Sequence, residues 1–429
     1  MNDPIIVQIF KGDADRTLLH LYKAPNCNFA NVGMKLFDCD MTGLTSFSTP
    51  DSVKLHGQHL LNSLMQSHQM IGNALQSAFQ LDNGACRPIY FEMVSLPAAE
   101  SFCWEALCQN DGTFLALDRR WPVARVASTR KATREVQKYE APLKMMVVLS
   151  ASGLDPRREW NSIYKAVVDA RKQGLPIILH VGTGDEALQD EIYQACALDA
   201  NLQQFTLNNM VDLIETADKI QPHLLHFFCH GSASLGKPRL EISTINDLDA
   251  RSIEVTLPDL LGSPGVLNCW LAVLNCCESG ATTSDLPSLS QSLVAGGVHT
   301  AIGMKDEVSV VDAAVFSEQL YPALLDNLRT TLNSLDEDTD AVIEWSSSMW
   351  APRKRLSLAK GEVNKLQSWT LPVIYVQLEP FRVRRGAAAT AAAAAAAARI
   401  RTIQEFLAHV PENMRSLLEE ELYADAGKG

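Results

Sequence analysis

The chain has 429 residues, 20% of them charged and 47% hydrophobic, with a net charge of −13. That length is more than one small core needs, so two domains or one large elaborated one is expected. The acidic balance argues against nucleic acid or an anionic membrane as a partner, and an acidic surface is compatible with basic protein substrates. Ten cysteines lie scattered without framework spacing, several inside apolar runs, which reads as reduced thiols of a cytoplasmic protein. Met1-Asn2-Asp3-Pro4 lacks the charged and apolar regions of a signal peptide, and apart from an alanine tract no run reaches the ~18–20 residues of a membrane span.

In chain order, Ile5–Phe10 and Thr17–Tyr22 are β-like runs around Gly12-Asp13-Ala14, a hairpin pattern. Residues 51–81 carry helical spacing through Leu55, Leu60, Leu61, Leu64, Met65, Ile71, Leu75 and Phe79, with Asp51 or Ser52 as N-cap. Pro88–Val94 reads as a strand, Trp104–Leu107 as a helical turn and Phe114–Leu117 as a further strand. The polar stretch Thr129–Glu140 reads as a boundary. From Leu143 strands alternate with helices. Strands are expected at Lys144–Leu149, Pro176–Val181, Leu224–Phe228, Leu271–Asn275, Thr300–Met304 and Pro372–Leu378. Helices are expected at Glu159–Gln173, Asp185–Leu198, Asn208–Ile220, Ser288–Val294 and Val311–Leu335. Such alternation predicts an α/β fold: a mostly parallel sheet flanked by helices, with an N-terminal α/β region. Ala387–Ala398, broken only by Thr390, is low-complexity and helix-forming, and it joins amphipathic stretches at Arg399–Leu407 and Met414–Tyr423. The expected division is 1–138 as the N-terminal α/β region, 139–380 as the core and 381–429 as a helical tail.

Two apolar runs stop abruptly at reactive side chains. One, Leu224–Phe228, leads through Cys229 to His230-Gly231; the other, Leu271–Asn275, leads to Cys276-Cys277-Glu278-Ser279-Gly280. Ligands and catalytic groups of open α/β sheets sit outside the carboxyl ends of such strands. A cysteine needs a base to become a nucleophile near neutral pH, and a histidine at the next strand end can take that proton and return it to a leaving amine. The histidine precedes the cysteine by roughly 50 residues, the order and separation found in caspases. From the residues alone either cysteine qualifies, and each also reads as an ordinary core thiol. His223, His226, Cys229 and His230 form a cluster of metal-ligand residue types, but alternation along a strand prevents convergence on one ion, so no metal is expected. Gly182–Ala187 follows a strand, opens a helix and fits G-x-G-x-x-A. Asp185 and Glu186 stand where a pyrophosphate would sit and satisfy the helix dipole themselves, so a nucleotide-binding enzyme is a minor alternative and no cofactor is expected.

The segments "HFFCHGS" and "VLNCCESG" resemble the CHAT family of caspase-like cysteine proteases, related to caspases and separase. The likeness extends through "SFCWEALCQNDGTFLALDRRWPVAR", "SASGLDPRREW", "PRLEIS", "LVAGGVHTAIGM" and "LPVIYVQ", roughly residues 100–380. The resemblance implies a cysteine endopeptidase with His230 as general base and acid and Cys277, directly before Glu-Ser, as nucleophile. Gly231 and Cys277 would supply the oxyanion N–H groups. Cys276 becomes the last strand residue, packed or lining the cleft. The segment after Thr300–Met304 lines the substrate pocket in relatives, which makes Asp306 and Glu307 candidate substrate-binding acids selecting Lys or Arg. Lys305 stands where it would neutralise them, and the family's usual tryptophan is absent there. The resemblance further implies a protein substrate, gasdermin-like pore formers being one class, an activating protein or upstream sensor, and a role in prokaryotic defence or cell death. A non-catalytic signalling scaffold is the competing expectation.

Overall fold

The computed structural model describes residues 3–386 apart from 14–15, 26–32, 40–48, 95, 130–135, 151–152, 233–237, 245–252, 278, 280–286, 336–338 and 359–366. Eighteen strands follow along these residues. They are β1 (Ile5–Lys11), β2 (Thr17–Lys23), β3 (Lys35–Leu36), β4 (Ile89–Val94), β5 (Val123–Val126), β6 (Gln137–Tyr139), β7 (Leu143–Leu149), β8 (Ile177–Thr183) and β9 (Leu202–Phe205). There follow β10 (Leu224–Phe228), β11 (His230–Ser232), β12 (Arg239–Ile242), β13 (Ile253–Thr256), β14 (Leu271–Leu274), β15 (Thr300–Met304), β16 (Ala341–Ile343), β17 (Pro372–Val376) and β18 (Phe381–Arg385).

Twelve of them form one sheet in the order β3-β2-β1-β4-β5-β17-β15-β14-β10-β7-β8-β9. From β15 to β9 every neighbouring pair is parallel, and so is every pair from β1 to β17. The two parallel halves meet at one antiparallel seam, β15 against β17. The N-terminal α/β region is therefore half of the same sheet as the core, and the C-terminal strand β17 stitches the halves together. Two small ribbons, β11-β12-β13 and β16-β18-β6, flank it.

The central strands are apolar on both faces because both faces are covered. Residues of β10 and β14 alternate between two core layers. Leu224, Phe228, Leu271 and Val273 join the layer under the helices Arg157–Lys172 and Val310–Asn333. Leu225, Phe227, Ala272 and Leu274 join the layer under Met210–Ile220 and Leu289–Gly296.

Several sequence expectations shift. The helix over 51–81 is two helices, Pro50–Ser67 and Gln69–Phe79, broken at His68, whose extended backbone lets its Nε2 contact the Gly33 carbonyl at 2.9 Å. The first N-cap is Thr49, in a reciprocal capping box with Ser52, not Asp51 or Ser52. Phe114–Leu117 is not a strand: Leu115–Leu117 is a 3₁₀ turn, and only Phe114 makes an isolated bridge, to Cys108. The short strands β3, β5, β6, β9, β11–β13, β16 and β18 carry too few residues to show a period, and β6 falls within the polar stretch expected to be a boundary. The expected helical tail does not begin at 381, because Phe381–Arg385 is β18, with Phe381 and Val383 buried. The alanine tract and the stretches 399–407 and 414–423 lie outside the described residues.

Candidate active site

β10 and β14 pair in parallel with Leu224 opposite Leu271, and the same offset of 47 residues holds to the facing thiols of Cys229 and Cys276. The backbone ladder also runs past the strands, since Asn275 N–H donates to the Phe227 carbonyl at 2.9 Å. One step further the offset pairs His230 with Cys277. The two backbones stay close here: a Cβ built on Gly231 would lie 2.0 Å from the Cys277 carbonyl oxygen. Only glycine fits that approach. The sequence-predicted trio His230, Gly231 and Cys277 is thus gathered at the carboxyl ends of two adjacent strands. His230 also opens β11, opposite Glu241 of β12, where the chain leaves the large sheet.

The turn after Cys277 is held by Ser279. Its hydroxyl lies 2.8 Å from the carbonyls of Leu274 and Cys276 and accepts from Met304 N–H at 3.0 Å, while its carbonyl accepts from Ser290 N–H at 3.0 Å. One buried serine therefore ties the β14 exit to the end of β15 through its hydroxyl and to the helix Leu289–Gly296 through its carbonyl. The Cys277 thiol is half-buried and points to the Val308 carbonyl at 3.8 Å. Burial pushes this thiol above its ordinary value, and the Glu307 carboxylate pushes the same way. The resting thiol is protonated, so a base is needed to activate it.

Cys276 does not line a cleft. It is 1% exposed, with its sulfur 3.3 Å from that of Cys229 and 3.5 Å from the Phe227 carbonyl, because strand alternation turns it into the layer away from Cys277. Asp306 and Glu307 are both exposed, and Asp306 Oδ1 accepts from Glu307 N–H at 2.8 Å. The desolvated acidic pocket expected from the sequence is not formed by these two groups. Lys305 does not neutralise them either. Its ammonium group reaches the carbonyls of Ser101 and Phe102 at 3.3 and 3.2 Å, where burial, then Arg125, lower its affinity for the proton.

That contact joins a buried charge cluster which the sequence did not disclose. Arg125 forks onto Glu105 at 3.0 and 2.8 Å and also reaches Glu100 at 3.0 Å. Glu100 accepts from Gln291 at 2.8 Å and Tyr375 at 3.2 Å. The two carboxyls diverge: burial raises Glu100, whereas at Glu105 burial is outweighed by Arg125 and the carboxyl is held below its usual range. Through Lys305 this cluster couples the N-terminal half-sheet to the loop over Cys277.

A second buried network lies below the strand ends. Glu159 Oε1 accepts from Asn275 Nδ2 at 3.0 Å and from the Ser317 hydroxyl, and it stands 3.1 Å from His226 Nε2 without good hydrogen-bond alignment. Tyr321 OH meets His226 Nδ1 at 2.7 Å. His226 is part of a polar tie between β10 and two helices. The signal in the sequence is a histidine inside an apolar strand and a glutamate in the first turn of the helix Arg157–Lys172.

The other histidines are engaged separately. His223 Nδ1 accepts from Lys144 N–H at 2.9 Å, and its ring packs edge-on against Trp270. At Gly184 a Cβ would lie 2.3 Å from the Ser243 carbonyl and 2.4 Å from Ser150 Oγ, and Asp185 Oδ1 already accepts Leu188 N–H at 2.7 Å. The turn at Gly182–Ala187 is filled by protein where a phosphate would have to lie.

A family model for the CHAT domain matches residues 64–347. Among solved structures the chain is similar to the Saccharomyces cerevisiae separase of a separase–securin complex, with 13% identity and a TM-score of 0.38, over 70% of this chain and 16% of that one. It is also similar to the Arg-specific cysteine proteinase gingipain R, with 8% identity and a TM-score of 0.43, over 76% of this chain and 73% of that one. The Drosophila initiator caspase Dronc gives 11% identity and a TM-score of 0.24 over 46% of this chain and 74% of its own. The chain thus spans a small part of separase, and no curated protein matches it. With two thirds of its length accounted for by that family model, the chain belongs to the CHAT domain family.

Proposed function

We propose that this protein is a cysteine endopeptidase acting through a Cys277–His230 dyad. The observation that supports the reading is the β10/β14 offset, which when continued past the strands runs to His230 and Cys277, with the Gly231 backbone against the Cys277 carbonyl. His230 takes the Cys277 proton, the sulfur attacks a peptide carbonyl carbon, and the N–H groups of Gly231 and Cys277 receive the oxyanion. Collapse expels the amine, which His230 protonates. Water, deprotonated by His230, then hydrolyses the thioester. No metal or cofactor enters this scheme.

The thiol's contact with the Val308 carbonyl supports a latent ground state. Substrate or an activating protein would release it by moving the 305–308 loop, and Lys305, docked on the 101–102 backbone, is the anchor through which such a signal would arrive. Glu307, near Cys277 but exposed, gives a modest preference for Lys or Arg before the scissile bond. An exposed pair contributes about 0.2–1 kcal/mol, which corresponds to a few-fold in kcat/KM. The substrate is a dedicated protein, a gasdermin-like pore former in a prokaryotic cytoplasmic defence or cell-death pathway being the class proposed.

A thiol-reactive peptidyl probe tests the reaction. Labelling at Cys277 that requires His230 is expected. A folded protein that takes no label even with loop 305–308 loosened by Lys305→Ala would favour the non-catalytic scaffold. Cleavage of proteins encoded beside this one, with mapping of the cut sites, tests the substrate class.

A further inference from the structure

The mechanism uses His230 and Cys277 and leaves the residue before each of them idle. Those two residues, Cys229 and Cys276, face each other with sulfurs 3.3 Å apart. They are 4% and 1% exposed and lie in the same core layer, on the side away from Asn275. All nine described cysteines are free. Facing positions of adjacent parallel strands hold their Cα atoms about 5 Å apart, inside the 4.4–6.8 Å that a disulfide spans. Bringing the sulfurs from 3.3 Å to a bond of about 2.05 Å needs a closure of little more than about 1 Å.

We propose that Cys229 and Cys276 are a redox modification site, a dithiol that hydrogen peroxide converts to a disulfide and that thereby gates the neighbouring dyad. In the first step one sulfur attacks the peroxide oxygen, breaking the O–O bond and leaving a sulfenic acid and one water. In the second, the other thiol's sulfur attacks the sulfenic sulfur, forms the S–S bond and releases a second water. Two thiols lose two electrons and two protons, and the peroxide gains both. A dithiol reductant reverses the change.

The site chooses its own partner. Alternation puts Cys277 on the opposite side from Cys276, and its sulfur is held at Val308, so Cys229 is the thiol that Cys276 meets. Burial raises the Cys229 thiol well above its ordinary value, so the pair resists oxidation until the strand ends open and oxidation is slow. The effect on catalysis rests on the peptidase reading. His230 and Cys277 are each bonded directly to a member of the pair, and Gly231 leaves no slack against Cys277. Misplacement of reacting groups by about 1 Å can lower turnover by up to about a hundredfold.

The test is peptide mapping of the full chain after hydrogen peroxide and alkylation of remaining thiols, on wild type and on Cys277→Ala. A Cys229–Cys276 linkage in both, removed by dithiothreitol, is expected. This readout stands even if the protein cleaves nothing. Linkage of Cys276 to Cys277, or oxidation of Cys277 with Cys229 and Cys276 still alkylated, would overturn the proposal. In peptide cleavage, the wild type should lose about ten- to a hundredfold of kcat/KM and regain it with dithiothreitol. Cys229→Ala, with Cys229→Ser as a second variant, should keep its activity through the same mild oxidation. If the linkage forms in wild type but cleavage is unaffected, the gating half is wrong and the modification site stands alone.

Discussion

At the residue scale, Cys276 and Cys277 show how one covalent step separates two chemistries. They are neighbours in sequence, yet one faces a sealed layer and the other the 305–308 loop. Cys277→Ala is therefore expected to abolish peptide cleavage, while Cys276→Ala keeps most of it. Comparing kcat/KM on one substrate decides, and the reverse outcome would move the nucleophile. His230→Ala should lower kcat by about 10²–10⁴-fold, the range for a lost general base. A pH effect belongs here too. His180 and His223 are both pushed down to about 4, by burial first and the Lys144 charge second. At His223 the geometry acts in the same direction, since Nδ1 accepts the Lys144 backbone N–H and protonation would remove that acceptor. Their unfolded value is about 6.5, so the unfolded chain binds more protons below it. Stability is full above about pH 6.5 and falls as pH drops toward 4, by up to about 1.4 kcal/mol per unit for His223 and by less for His180, which is only partly buried and screened by water. Urea unfolding across that window should show the slope, and His223→Gln, which keeps an acceptor, should flatten it.

At the element scale, β10 and β14 are tied to the helices Arg157–Lys172 and Val310–Asn333 by the Glu159 network as well as by apolar packing. Removing one partner of a buried charged set leaves the rest unsatisfied and costs about 3–5 kcal/mol. Glu159→Ala should destabilise by that order. The Glu159→Ala and His226→Phe pair should be strongly non-additive, because the double variant no longer holds an unpaired acid or an unpaired ring. Additive denaturation energies would falsify the network as a unit. His226→Ala should accordingly lower stability by more than its volume predicts while leaving the chemistry to His230.

At the scale of the whole molecule, the twelve-stranded sheet depends on β17, which holds two parallel halves of opposite direction together. The chain then continues into β18, where Phe381 packs on Trp270, His299 and Trp345 at ring-centre distances of 4.5–5.5 Å. Truncation after Pro380 is thus expected to destabilise the fold, since loss of a buried phenylalanine alone costs about 3–5 kcal/mol. Truncation after Gly386 should leave the thermal midpoint and peptide cleavage unchanged. Equal midpoints for the two truncations would show that β18 contributes nothing.

What the sequence determined by itself is local: the strand and helix periods and the two apolar runs that stop at His230 and Cys277. These follow from the order of residues along one element, so a period or an abrupt end discloses them. The register of β10 on β14, the facing of Cys229 on Cys276 and the seam of β15 on β17 are relations between segments far apart in the chain, and no period within either segment encodes them. The acidic pocket at Asp306 and Glu307 was implied by the family resemblance alone, and carboxylates after a strand end look alike in sequence whether buried or solvated. Only packing decided that these two face water while Glu100, Glu105 and Glu159 go inside. A carboxylate enters the core only where donors such as Arg125, Asn275 and Ser317 converge from other elements, and that convergence exists only after the chain has folded.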